Sequence, residues 1–186
     1  MPIKKYSKVK FTLRKELIII LAVVLVMLLA TILLLQPTKD QKFVSKWSGA
    51  GSSIVENKLY EEIDFDELDE VIAGEGITYV LFAHATDEQS VKAFDLVINL
   101  ATGLDVEKVY IIDSEFAVGD REEDAELDAE LKVIEEKYGI TLDTPDLWAF
   151  ENGSVVAELD QDLIEASSND YTEAIKRVLL LNKKEA

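Results

Sequence analysis

The chain has 186 residues, 48% of them hydrophobic, enough for one buried core and an appendage. It carries 37 acidic and 19 basic residues, a net charge of −18, yet residues 1–16 hold six of the basic ones (Lys4, Lys5, Lys8, Lys10, Arg14, Lys15) against Glu16 alone. The remainder, with 13 basic and 36 acidic residues, repels phosphate and so excludes nucleic acid as a partner; a solvated acidic surface is the expected use of that charge.

The first predicted element is Leu17 to Leu35, a run of Leu, Ile, Val, Ala and Met broken only by Thr31. As a helix it spans roughly 28 Å, close to a bilayer's hydrocarbon thickness, and reads as a single transmembrane helix. The cations of residues 1–16 place the N-terminus in the cytoplasm and everything after Gln36 outside the plasma membrane. A cleaved signal peptide shares the basic start and the apolar run. The run exceeds the roughly 7–15 residues of such a peptide, and no Ala-x-Ala precedes the polar segment, so a retained anchor is expected.

Residues 36–57 are polar, with Ser48, Gly49, Gly51, Ser52 and Ser53 close together, a composition that suits a flexible tether. Trp47 either touches the headgroup zone or packs on the domain; the sequence leaves both open. A folded domain is expected over 58–182, followed by a tail over 183–186.

Within that domain, Leu59 to Ile63 reads as a first strand. Phe65, Leu68, Val71 and Ile72 then recur at helical spacing up to Gly74. Ile77 to Ala85 is a nearly unbroken apolar run, as expected of a strand covered on both faces. Thr86 is the candidate N-cap of the next helix, with Gln89 three residues on. Val91, Phe94, Leu96, Val97, Ile98 and Leu100 form its buried side until Gly103. Val106 to Ile112 is a third strand, Ser114 to Asp120 a loop, and Arg121 to Tyr138 an acidic helix with Leu127, Leu131 and Ile134 on one stripe. Gly139 supplies a left-handed helix end, and Asn152-Gly153 the positive-φ pair of a tight turn, so 147–150 and 155–159 should form a hairpin. Asn169 or Asp170 caps a last helix to about Asn182, with Tyr171, Ile175, Val178, Leu179 and Leu181 as its apolar positions.

The order βαβαβαββα gives an α/β fold of three layers, α/β/α, with a mixed sheet: right-handed crossovers make the early strands parallel, and the hairpin adds antiparallel ones. Tyr138-Gly139-Ile140, Thr144-Pro145, an apolar strand, Asn152-Gly153 and a second apolar strand resemble the C-terminal half of the thioredoxin fold. The resemblance implies that the Thr144-Pro145 bond is cis. It also implies where chemistry ought to lie. Thioredoxins carry Cys-Gly-Pro-Cys at the start of the helix after the central strand, and here Asp87-Glu88-Gln89-Ser90 occupies that place, with Asp87 and Ser90 on the two cysteine positions.

The chain contains no cysteine. Thiol–disulfide exchange needs a thiolate and a resolving thiol, and a carboxylate and a hydroxyl supply neither, so no oxidoreductase activity of that type is expected. Asp87 is suited instead to accept backbone N–H groups at the helix start. A nucleophilic set of His84, Asp87 and Ser90 is disfavoured, because sequence proximity alone does not make a triad. One histidine and acidic runs lacking the glycine and spacing of a calcium loop (Asp64 to Asp69; Glu122-Glu123-Asp124) imply no metal, and no cofactor is expected. In relatives of this fold the proline loop and the helix start border a groove that pairs with an extended client peptide. The resemblance therefore implies a protein or peptide partner at Thr86, Asp87, Ser90, Asp143, Thr144 and Pro145. A structural subunit acting through its membrane helix is the alternative, and an enzyme using non-cysteine chemistry a remote one.

Overall fold

The computed structural model describes residues 15–113, 125–159, 161–166 and 170–183. The basic residues before Lys15, the Ser114 to Asp120 loop, the first residues of the helix expected from Arg121, Asn169 and the tail from residue 184 lie outside that set. Two compact units result, residues 1–38 and 39–186.

Among the described residues of the first unit there is one helix, α1 (Lys15–Leu34). Its large apolar side chains are exposed, among them Leu21, Val26 and Met27 at 65%, 64% and 66%. The Thr31 hydroxyl donates to the Met27 carbonyl at 2.8 Å, so this polar side chain within the apolar run is satisfied inside the helix. Among the described residues no helix is long and apolar enough to cross a membrane.

In the second unit, α2 (Lys39–Gly49) is followed by β1 (Tyr60–Glu62), α3 (Leu68–Ile72), β2 (Ile77–Ala83), α4 (Glu88–Gly103), β3 (Val109–Asp113), α5 (Ala125–Tyr138), β4 (Asp146–Glu151), β5 (Ser154–Ala157), α6 (Gln161–Ala166) and α7 (Thr172–Leu179), closed by a 3-10 turn over Leu180–Lys183. The sheet order is β1-β3-β2-β4-β5. The first three strands are parallel; β4 runs antiparallel to β2 and β5 antiparallel to β4. Asn152 and Gly153 take φ of 50° and 77° in the turn, as the Asn-Gly pair requires.

Alternation along the strands builds a core on each face of the sheet. Tyr79, Leu81, Val109, Ile111, Leu147 and Ala149 face α2, α4 and α7, while Val80, Phe82, Ile112, Trp148 and Phe150 face α3 and α5. The mixed three-layer arrangement expected from the sequence is thus present.

One expectation is corrected here. Residues 39–49 are not tether: they form α2, whose Phe43 and Trp47, one turn apart on the same face, are 3% and 0% exposed. Trp47 stacks on Phe94 of α4 with centroids 4.4 Å apart, and Phe43 lies 5.5 Å from the Tyr60 ring. The serines that suggested flexibility are pinned too. Ser52 Oγ donates to Asp95 Oδ1 at 2.5 Å, and Ser53 donates from both N–H and Oγ to Asp95 Oδ2 at 3.1 Å. Burial of two large aromatic rings outweighs the entropy that polar composition favours. A second addition, α6, lies between the hairpin and the last helix and carries Ile164 into the α4/α7 core.

Candidate functional site

The start of α4 is set by Asp87, not Thr86. Asp87 sits in extended conformation and its Oδ2 accepts the Ser90 N–H at 2.7 Å, satisfying one of the donors a helix start leaves free. Thr86 is one residue outside the cap and exposed. Glu88 is exposed and bonded to Lys92 one turn on, at 2.7 Å, which holds its carboxyl below the usual range. Ser90 is fully buried, and its hydroxyl has no hydrogen-bond partner among the described residues.

These contacts dispose of the nucleophilic set. Asp87 is spent on a backbone amide, Ser90 Oγ is bonded to no base, and the carboxylate beside His84 is Asp113, 3.6 Å from Nδ1. Asp113, at the end of β3, is buried with a side chain 2% exposed, and Lys46 of α2 lies 3.0 Å from its Oδ2. The helix added before β1 therefore supplies a cation beside the start of α4. Lys46 also joins Gly49, Ala50, Ala85, Thr86, Asp87, Glu88 and Val91 in lining a pocket of about 390 Å³ at the α4 start.

The proline loop meets the same helix end. Thr144-Pro145 is cis, as the resemblance implied. The β2/β4 register pairs Phe82 with Asp146, so the chain leaving β2 toward His84 and the chain entering β4 through Pro145 are neighbours. Asp143 is exposed, Pro145 is buried, and the Thr144 hydroxyl is buried without a partner among the described residues. Tyr171 closes the far side: its hydroxyl donates to Gln89 Oε1 at 2.8 Å. Burial, followed by the charges of Asp87 and Asp143, raises its phenol above the ordinary range. Asp87 to Ser90, Asp143 to Pro145 and Tyr171 thus form one constellation.

Asp146, next after the proline, is a buried carboxylate, 4% exposed. It accepts from the Leu147 N–H at 2.7 Å, the Trp148 Nε1–H at 2.8 Å and the Leu159 N–H at 3.3 Å. Burial pushes its pKa up to about 7, and the three donors hold it from rising further. It ties the loop to the segment after β5.

Sequence reasoning did not assign Tyr171, Lys46, Asp113 or Asp146 to this region. Tyr171 counted as an apolar helix position, and the others carried no local pattern. Only the β2/β4 register and the docking of α2 bring them in.

No protein-family model matches the chain, and no curated protein does. Among solved structures, the chain is similar to a thioredoxin of Malassezia sympodialis, with 15% identity and a TM-score of 0.40 over 68% of this chain and 96% of that one. A designed protein gives 18% and 0.42 over 64% and 91%, and the oxidised thioredoxin of Plasmodium falciparum 17% and 0.39 over 58% and 97%. Its structural neighbours thus include thioredoxin-fold proteins, while this chain has no cysteine and hence no thiol for disulfide exchange.

Proposed function

We propose that this protein is a membrane-tethered, redox-inactive thioredoxin-like module that binds a protein or peptide outside the cytoplasmic membrane, against the Asp87–Ser90 helix start and the Asp143–Pro145 loop. One observation carries the proposal: the register of β2 on β4 sets the two segments side by side, while the reactive positions hold a helix cap and a buried serine. Such a place can hold an extended chain but has no nucleophile to attack it. The tether is supported by the 20-residue α1 with its exposed apolar side chains and by the cations of residues 1–16. With α2 docked, only residues 35–38 separate α1 from the folded domain.

Photocrosslinkers at positions 87 and 144 test the site in intact membranes. Both are expected to capture the same partner, and a control position at Glu75 is expected to capture none. Capture of different proteins by 87 and 144, or of nothing by either, would refute a shared groove. The exposed apolar side chains of α1 favour one second reading, a structural subunit whose helix packs in a larger complex. Exchanging α1 for an unrelated transmembrane helix separates the two: retained partner capture assigns the function to the domain, and its loss assigns it to the helix.

A further inference from the structure

The outer side of β1 is a second, independent candidate surface. β1 is an edge strand, hydrogen-bonded to β3 alone. The Val109 N–H donates to the Leu59 carbonyl at 2.7 Å and the Ile63 N–H to the Ile111 carbonyl at 2.9 Å. Alternation along the parallel ladder therefore turns Leu59, Glu61 and Ile63 toward β3, and directs the N–H and C=O groups of Tyr60 and Glu62 outward. Among the described residues no strand pairs with them.

A pocket of about 540 Å³ lies against this edge, between it and the first turns of α2, with Phe43 and Tyr60 as its apolar part. Its charge is unbalanced. Lys108 is tied to Glu61 at 2.6 Å and Lys39 lies 3.9 Å from Glu67, which leaves Asp40, Glu56, Glu62 and Glu107 against the ammonium of Lys58. Glu62 is half-buried, and its carboxyl is raised first by burial and then by the charge of Asp113, only partly offset by Lys39 and Lys46. A cation brought to Glu62 would relieve that imbalance.

We propose that the outer edge of β1 accepts an extended, cationic segment of a partner protein as an added strand, its backbone pairing with Tyr60 and Glu62 and its Lys or Arg side chains meeting the carboxylates of the pocket. Backbone pairing supplies affinity in such strand addition, and the side chains supply the choice of sequence. The same carboxylates argue against a second copy of this chain as occupant, because two β1 edges brought together would set Glu61 and Glu62 against their own counterparts.

The test uses the full chain in detergent micelles and two blocked hexapeptides, one alternating lysine with valine and one alternating glutamate with valine. Amide hydrogen exchange reads the outcome. The lysine–valine peptide is expected to slow exchange at Tyr60 and Glu62 at least tenfold, leaving the opposite edge at Ser154–Ala157 unchanged. The glutamate–valine peptide is expected to have no effect. Glu62→Gln should weaken binding of the lysine–valine peptide about tenfold, and Glu75→Gln, an exposed carboxylate outside the pocket, should not. Glu62→Pro should abolish the slowing at Tyr60, since it removes an outward N–H without taking a donor from the β3 ladder; if that variant does not fold, Glu62→Gln still decides. Binding without slowing at Tyr60 and Glu62, equal slowing by both peptides, or equal affinity of wild type and Glu62→Gln overturns the proposal. So does protection of β1 in a peptide-free dimer, which would make a second copy the occupant.

Discussion

Residues 39–53 and residues 86–90 both pack against α4, the first along its flank and the second as its opening turn, but they use their side chains differently. The flank buries Phe43 and Trp47 and clips Ser52 and Ser53 to Asp95, so it adds to the core. The opening turn keeps Thr86, Asp87 and Glu88 at the surface and commits Asp87 and Glu88 to one local bond each. The first segment is scaffold with the composition of a linker. The second is a helix start whose carboxylates are spent on a cap and a surface ion pair. Position in the fold, not composition, separates the two roles.

Truncation of Trp47 gives the sharpest test of that contrast. Trp47→Ala should cost about 3–5 kcal/mol in denaturant unfolding of the full chain, the scale for a fully buried tryptophan. A cost near zero would return residues 39–49 to the status of a tether.

Asp146 supplies the next largest effect, on the side of the proline loop. Its folded pKa of about 7 lies above the 3.8 of the unfolded chain, so the native state alone holds the proton between those values. Its contribution is complete below the unfolded value and is lost as pH rises through 7, by up to about 4 kcal/mol. Unfolding midpoints measured between pH 4 and 8 should therefore fall with rising pH, and Asp146→Asn should flatten the slope. An unchanged slope in that variant would assign the dependence to other groups.

Asp95→Ala should cost about 1–3 kcal/mol, because it strands the buried Ser52 hydroxyl while leaving α4 intact. It should also speed amide exchange over residues 50–54, and unchanged exchange there would mean that the clip does not hold the segment. The smallest effect belongs to the opening turn. Asp87→Ala should cost about 1 kcal/mol, the ordinary worth of an N-cap, with no redox activity gained or lost. A much larger loss would show that Asp87 supports more of the fold than its single bond to Ser90.

Much of the architecture was legible because it rests on local rules. The apolar runs of β2 and β4, Gly139 and Asn152-Gly153 each specify their own backbone, and the strands pair in the parallel and antiparallel directions expected. The hidden parts have physical reasons. In α2 only two aromatic residues mark the core face among Lys, Ser and Gly, too few for a periodicity to stand out. The cap moved from Thr86 to Asp87 because both residues suit the role and only the helix's actual start selects one. Of the site, the helix start and the proline loop were readable as segments. Tyr171 was not, because its bond to Gln89 crosses 82 residues of chain.

By itself the sequence determined the strand order along the chain and the helices between the strands, the turn geometry, the basic start before an apolar helix, and the absence of any thiol, since each depends on residue identity and near neighbours. The tertiary structure alone decided that Phe43 and Trp47 enter the core, that Lys46 reaches Asp113, that Tyr171 bonds to Gln89 at the α4 start and that Asp146 is buried enough to hold a proton near neutrality. Those outcomes depend on which surfaces exclude water together, and burial between distant segments is written in no local pattern.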